Sequence, residues 1–124
     1  MIIVSVTKVK EGENTQEKVW FAVKSAMELA GWEEVVKRGL DIAIKPNLCL
    51  DILLPGHTTS PWVIEGVIRV IRDKVGKIYV VESDTFTTDC EKGFVHSGIS
   101  NICKQYDIEW YNFSKKDKYV TVTG

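Results

Sequence analysis

The chain has few of the residues that build metal centres. Its three cysteines, Cys49, Cys90 and Cys103, are widely spaced and form no Cys-x-x-Cys pair. This spacing argues against a zinc knuckle and against an iron–sulfur ligand run. The two histidines, His57 and His96, fall on different predicted loops, so no i,i+4 spacing brings them together on one helix face. We therefore predict no metal site and no bound cofactor.

Several sequence motifs are also missing. No Gly-x-Gly-x-x-Gly follows the first apolar run, and neither a Walker-type loop nor a Gly-x-Ser-x-Gly elbow occurs. These absences disfavour dinucleotide, P-loop and serine-hydrolase chemistry. The net charge is only −1, and no basic stripe interleaved with aromatics is present, so we do not expect nucleic-acid binding.

The chain has no long hydrophobic run. No apolar stretch approaches the ~20 residues of a membrane helix. The apolar start, residues 2–6, lacks both a basic segment and a small-residue cleavage pattern, so it resembles a strand and not a signal peptide. We predict a cytoplasmic protein that contacts no membrane.

The sequence does contain an alternation of strand-like and helix-like segments. Helical periodicity is seen in residues 19–30, 61–75 and 97–106, with a short extra turn at 32–37. The predicted strands are residues 2–9, 41–45, 77–82 and 108–112, with a fifth at 119–123. This order predicts one α/β domain over residues 1–124, with a mostly parallel sheet of four to five strands and helices on both faces in three layers.

Helix boundaries are indicated by specific residues. Asn14 followed by Glu17 resembles a capping box at the first helix. Ser60 before Pro61 is typical of an N-cap followed by the first helical position. Gly66 lies inside the second helix, where glycine costs about 1 kcal/mol relative to alanine, so we expect close backbone packing there.

Polar residues follow the predicted carboxyl ends of two strands, which is where ligands bind in open α/β sheets. Lys45 and Asn47 follow one strand, and the loop after them leads to Thr59 and Ser60 at a helix start. Asp84 follows another strand. A cation, an amide and a helix N-terminus near one edge favour an anion. We therefore predict that these five residues bind a phosphate or carboxylate group.

Each of these residues also has a purely structural interpretation. Lys45 either lies in solvent or pairs with Asp84, and Asn47 bonds within its own loop. Ser60 serves as a helix cap, and Thr59 flanks that cap without a function of its own. Glu82 with Asp84 could form a carboxylate pair for metal or acid–base chemistry, but two carboxylates without a nearby histidine favour loop structure.

A series of motifs extends over nearly the whole chain: Ile44-Lys45-Pro46-Asn47-Leu48, Gly56, Thr59-Ser60-Pro61, the helix 63–72, Val80-Val81-Glu82-Ser83-Asp84, Phe94, Ser97-Gly98-Ile99 and Tyr106-Asp107-Ile108-Glu109. The order of these motifs resembles domain-of-unknown-function family 362. The resemblance implies an α/β domain of no settled activity. It also implies that the usual family domain is longer, so we expect this chain to be its N-terminal part. Some members carry a ferredoxin-type iron–sulfur module, which this sequence lacks.

Three hypotheses follow. In the first, the chain binds a small anion at the carboxyl edge of the sheet. In the second, it docks a partner, such as an iron–sulfur redox module or another copy, through the unusually apolar loop 48–54. In the third, the motifs only fix turns. The sequence names no reaction.

Overall fold

The computed structural model describes residues 2–10, 12–86 and 88–115, and these contain five helices and three strands. The helices are α1 (Thr15–Leu29), α2 (Trp32–Val35), α3 (Pro61–Ile71), α4 (Cys90–His96) and α5 (Ile99–Gln105). The strands are β1 (Ile42–Ile44), β2 (Ile78–Glu82) and β3 (Glu109–Asn112). No helix among these residues is both long enough and apolar enough to cross a bilayer.

The three strands form a parallel sheet in the order β1-β2-β3. Ile44 lies beside Val80, and Val80 lies beside Trp110, so the carboxyl ends of all three strands meet at one edge. Pro46 follows β1 and has no N–H for a ladder, which explains why that strand is short. The predicted α/β class with a parallel sheet is confirmed.

The hydrophobic core joins one face of this sheet to three helices. Val80 is fully buried at its centre, with Ile44 and Trp110 packed beside it. The helices contribute core residues from α3, α4 and α5: Ile64, Ile68, Phe94, Ile99, Ile102 and Cys103. Because side chains alternate along a strand, the opposite face carries Tyr79, Val81 and Tyr111 outside this cluster. The predicted three layers are not confirmed.

The number of strands is also lower than predicted for the residues described. Residues 2–9 form no strand, so the prediction of a first strand there is wrong. Their β-branched side chains favour an extended chain, but a strand also needs a ladder partner, and this segment instead lies along α1, where the Ser5 hydroxyl donates to the Ala26 carbonyl. The predicted strand 119–123 lies outside the described residues.

Two helix starts differ from their predicted form. Asn14 precedes α1, but it adopts a left-handed conformation (φ 57°) and its side chain makes no cap bond, so the predicted capping box does not form. Helix α4 lies in a stretch predicted as mostly loop. The Asp89 carboxylate caps it by accepting from the Glu91 and Lys92 N–H groups, a standard signal that the sequence analysis missed.

Close packing explains the glycine inside α3. A β-carbon built at Gly66 would lie only 3.0 Å from the Val23 β-carbon. The absence of a side chain at Gly66 therefore lets α3 approach α1 closely. Beside it, the buried Glu65 carboxylate accepts from Gln16 of α1 and from the Tyr106 hydroxyl at 2.8 Å. Burial and this bond raise the pKa of Tyr106. The polar network therefore ties α1, α3 and the end of α5 together.

Candidate functional site

Lys45 leaves the carboxyl end of β1 and pairs with Glu82 at the end of β2. The ammonium lies 2.9 Å from the carboxylate, and the side chains are 64% and 7% exposed, respectively. The predicted alternative partner, Asp84, is therefore not the one that Lys45 contacts in the described residues. The Glu82 carboxylate is nearly buried and needs a compensating positive charge. Lys45 supplies that charge, so less of it is left to attract a bound anion.

Asn47 and Thr59 fasten the two ends of the loop between β1 and α3. The Asn47 N–H donates to the Thr59 hydroxyl at 2.8 Å, and the Thr59 N–H donates to the Asn47 carbonyl at 3.0 Å. The Asn47 amide group also donates to the His57 carbonyl at 2.6 Å. The predicted loop-bonding role of Asn47 is thus present, and these bonds bring Lys45 and the start of α3 to the same edge.

The start of α3 offers fewer N–H donors than the sequence suggested. Ser60 lies at the N-cap position, but its side chain makes no cap bond. Pro61 has no N–H, and the Val63 N–H already donates to the Ser60 carbonyl at 3.0 Å. The helix therefore presents a weaker anion site than a helix start with all its first N–H groups free.

Asp84 is held by neighbouring groups at the same edge. Its carboxylate accepts from the Cys90 N–H and from the Asn112 side-chain amide, each at 3.0 Å. The bond from the Cys90 backbone, more than any other contact, lowers the pKa of Asp84. The Asp84 N–H donates to the Ser114 hydroxyl at 2.8 Å. This carboxylate therefore organises the loops after β2 and β3.

Sequence reasoning missed Asn112 as a member of this edge. It ends β3 directly beside Glu82 in register and is buried. The signal was available, because Asn112 ends a predicted parallel strand and such ends meet at one edge.

Apolar side chains are exposed on the loop after Asn47. Ile52, Leu53 and Leu54 are 52%, 47% and 36% exposed, whereas Leu48 at the start of the loop is buried in the core. Phe86, in the loop after β2, is fully exposed. We call Ile52, Leu53, Leu54 and Phe86 the apolar rim.

The loop that carries most of the rim is held on both sides. The His57 and Thr58 N–H groups donate to the Leu54 carbonyl at 3.0 and 2.9 Å, which closes a turn beside the rim. On the other side, the His96 ring contacts the Asp51 carbonyl at 2.6 Å.

The two loops of the rim are also joined to each other. Thr85 and Thr88 exchange backbone hydrogen bonds around Phe86, and the Thr88 hydroxyl donates to the Cys49 carbonyl at 2.8 Å. Gly93 of α4 packs against this loop so closely that an added β-carbon would lie 2.9 Å from the Leu50 carbonyl oxygen. Hydrogen bonds and close packing therefore hold both loops that carry the rim.

The three cysteines differ in burial. Burial raises the pKa of Cys103 to about 11 and that of Cys90 to about 12, so both thiols are inert core groups. Cys49 is exposed, with its sulfur 3.5 Å from the His57 carbonyl. Within the described ranges, no group of three or more His, Cys, Asp or Glu side chains could hold a metal ion.

A cleft of about 460 Å³ lies at the opposite end of the sheet. Its walls include Arg72, Lys77, Tyr106 and Glu109, near the amino ends of β2 and β3. Since ligands of open α/β sheets bind at the carboxyl ends, this cleft is separate from the candidate site.

The parallel sheet and its helices define an α/β domain, and the loops described above gather at the carboxyl edge of that sheet. The model of the family described as Domain of unknown function (DUF362) matches residues 42–124, about two thirds of the chain, and the chain belongs to this family. The match begins at β1, so it leaves out the N-terminal segment and α1. No curated protein and no solved structure matches the chain.

Proposed function

We propose that this chain is a docking domain that holds a partner protein through the apolar rim. One observation carries the proposal: the rim exposes three large aliphatic side chains and one phenylalanine on loops that are fixed by hydrogen bonds. Exposed aliphatic side chains on a fixed loop lower solubility without adding to the core. Their burial against a partner accounts for them.

The chemistry of the rim describes the partner. The four rim side chains carry no charge, so the complementary surface is apolar at its centre. The patch is small beside a standard interface, so we expect a transient complex with a dissociation constant in the micromolar range or weaker. Phe86, the most exposed aromatic, is the expected anchor, because aromatic residues dominate the binding energy of most interfaces.

The resemblance noted from the sequence supplies a defined probe. Some family members carry a ferredoxin-type module, so a ferredoxin with two [4Fe–4S] clusters is a rational test partner. Paramagnetic clusters broaden the NMR signals of nearby amides. We expect selective broadening at residues 50–54 and at Phe86 when the ferredoxin is added to isotope-labelled chain.

Matched variants make this titration decisive. Leu53→Lys and Phe86→Ser should each weaken binding about tenfold, since each removes more than about 1 kcal/mol of apolar contact. Val35→Lys is the control, because Val35 is an exposed aliphatic residue (78%) on α2, outside the rim. Equal broadening in all variants, or none at millimolar ferredoxin, would count against the proposal.

A second candidate function is the binding of a small anion by Lys45, Asn47, Thr59, Ser60 and Asp84. Two observations favour it: the Ser60 side chain makes no cap bond, and the Lys45 side chain is 64% exposed, with the Asn47–Thr59 bonds joining the loop between them. The Glu82 carboxylate beside Lys45 and the occupied Val63 N–H oppose it, which is why docking ranks first.

Titration with inorganic phosphate and with acetate tests this second function. Lys45→Ala and Asn47→Ala should each weaken any binding that the wild-type chain shows, as followed by amide chemical shifts near residues 45–60. Lys37→Ala is the matched control, since Lys37 is exposed and precedes β1 whereas Lys45 follows it. Unchanged affinity in the Lys45 and Asn47 variants would remove the idea.

A further inference from the structure

The N-terminal segment, residues 2–9, has the exposure pattern of a strand without being part of the sheet. Ile2, Ile3, Val4 and Val6 are 94%, 54%, 82% and 90% exposed, and from Val4 to Lys10 exposed residues alternate with half-buried ones. Alternation with a period of two is the geometry of an extended chain. The segment therefore presents a row of aliphatic side chains to solvent.

The backbone of this segment also lacks a ladder. No described residue pairs with it as a strand, although its β-branched residues favour that state. The Thr7 hydroxyl is buried and has no hydrogen-bond partner. A segment with unpaired backbone groups and exposed aliphatic side chains is suited to pair with a sheet edge.

The sheet of the same chain has such an edge. In the order β1-β2-β3, β1 pairs only with β2 among the described strands. The Ile42 N–H donates to the Lys77 carbonyl at 2.8 Å, so the backbone N–H and C=O of Ile42 point towards β2. Because consecutive residues of a strand alternate in direction, the N–H and C=O of Ala43 point away from β2. Ala43 is also exposed.

We propose that residues 2–9 of one copy of this chain add as a parallel strand to the outer edge of β1 in a second copy. Both complementary elements are present in every chain, so a two-fold arrangement satisfies both edges reciprocally and closes. Within one chain, residues 2–9 lie along α1, which itself packs against α3 at Gly66. The segment therefore does not pair with β1 of the same chain.

The charges agree with this pairing. Lys8 is the one ionisable residue within 2–9, and β1 carries none, so no like charges face each other between the two strands. Residues 2–9 are joined to β1 through a helix, and two strands connected in this way pair in parallel. Exchange of the segment between two copies keeps the same parallel pairing. The inference concerns a surface distinct from the apolar rim, so it stands independently of the proposed docking function.

Light scattering across protein concentrations, from about 5 µM to 1 mM, tests the exchange. The wild-type chain should shift from monomer mass to dimer mass with increasing concentration. Ala43→Pro removes the outward N–H and leaves the bonds to β2, as proline is tolerated at edge strands. It should raise the dimer dissociation constant at least tenfold, whereas Ala43→Val, which keeps the N–H, should not.

A second variant separates loss of the dimer from unfolding, because Ala43→Pro places a proline in the sheet. Val4→Pro alters only an exposed position outside any helix or strand, and it should weaken the dimer to a similar extent. Leu53→Lys in the apolar rim should leave the dimer intact. A chain that is monomeric at every concentration overturns the proposal, as does a dimer that Leu53→Lys disrupts and Ala43→Pro does not.

Discussion

Replacement of Gly66 with alanine measures how closely α1 and α3 pack. The new β-carbon would lie 3.0, 3.1 and 3.3 Å from the β- and γ-carbons of Val23, all shorter than ordinary carbon contacts. Alanine favours the helix by about 1 kcal/mol over glycine. Overpacking of this kind typically costs about 1–3 kcal/mol. We therefore expect Gly66→Ala to lower the free energy of unfolding by about 1 kcal/mol.

Val23→Ala changes that balance. It removes both γ-carbons, and the remaining β-carbon contact is relieved by a shift of a few tenths of an ångström. In this background, Gly66→Ala should raise the free energy of unfolding, by up to about 1 kcal/mol, because helix propensity then outweighs the steric cost. The two substitutions should thus show a coupling of about 1–2 kcal/mol, as expected for residues in contact.

Urea unfolding followed by far-UV circular dichroism, on wild type, both single variants and the double variant, gives this coupling. The cycle contains its own control, since helix propensity contributes equally in both backgrounds. If Gly66→Ala stabilises the chain equally with valine or alanine at position 23, the helices do not pack as described and the reasoning is refuted.

Three further predictions concern charged and polar groups. Asp84 has a lowered pKa in the folded state, so its contribution to stability is present above pH 3.8, its ordinary pKa, and is lost as the pH falls through the folded pKa. Asp84→Asn should therefore reduce the loss of unfolding free energy at acid pH. An unchanged loss would contradict this prediction. Tyr106→Phe removes a donor from the buried Glu65 carboxylate and should lower the free energy of unfolding by about 1–3 kcal/mol, against no change if the bond is absent. Lys45→Met leaves the Glu82 carboxylate without its counter-charge and should lower the free energy of unfolding by about 1–3 kcal/mol. Adding Glu82→Gln should recover most of this loss. An equal loss in the single and the double variant would exclude the ion pair.

Much of the sheet could be predicted from the sequence because β1 and most of β2 are continuous apolar runs. Residues 41–45, 77–82 and 108–112 were predicted as strands, and β1, β2 and β3 lie within these ranges. The segment 2–9 has equally strong β-branched composition, yet it forms no strand here. Composition reports what a segment favours, whereas a strand also requires a partner whose position is set by tertiary structure.

The sequence predicted which strand ends carry the candidate residues, but it did not predict the contacts that these residues make. The sequence placed Lys45 and Asp84 at one edge, and β1 and β2 do pair in parallel there. It did not show that Glu82 neutralises Lys45, because pairing between side chains on neighbouring strands depends on register and burial. The exposure of Phe86 was also missed, since periodicity carries no information about irregular loops.

Amide hydrogen exchange on the loop between β1 and α3 tests the central claim most directly, namely that the apolar rim is carried by a fixed loop. The His57, Thr58 and Thr59 N–H groups, which donate to Leu54 and Asn47 carbonyls, should exchange about a hundredfold or more slowly than in an unstructured peptide. Exchange of these three amides at unstructured rates would show a mobile loop and contradict the account.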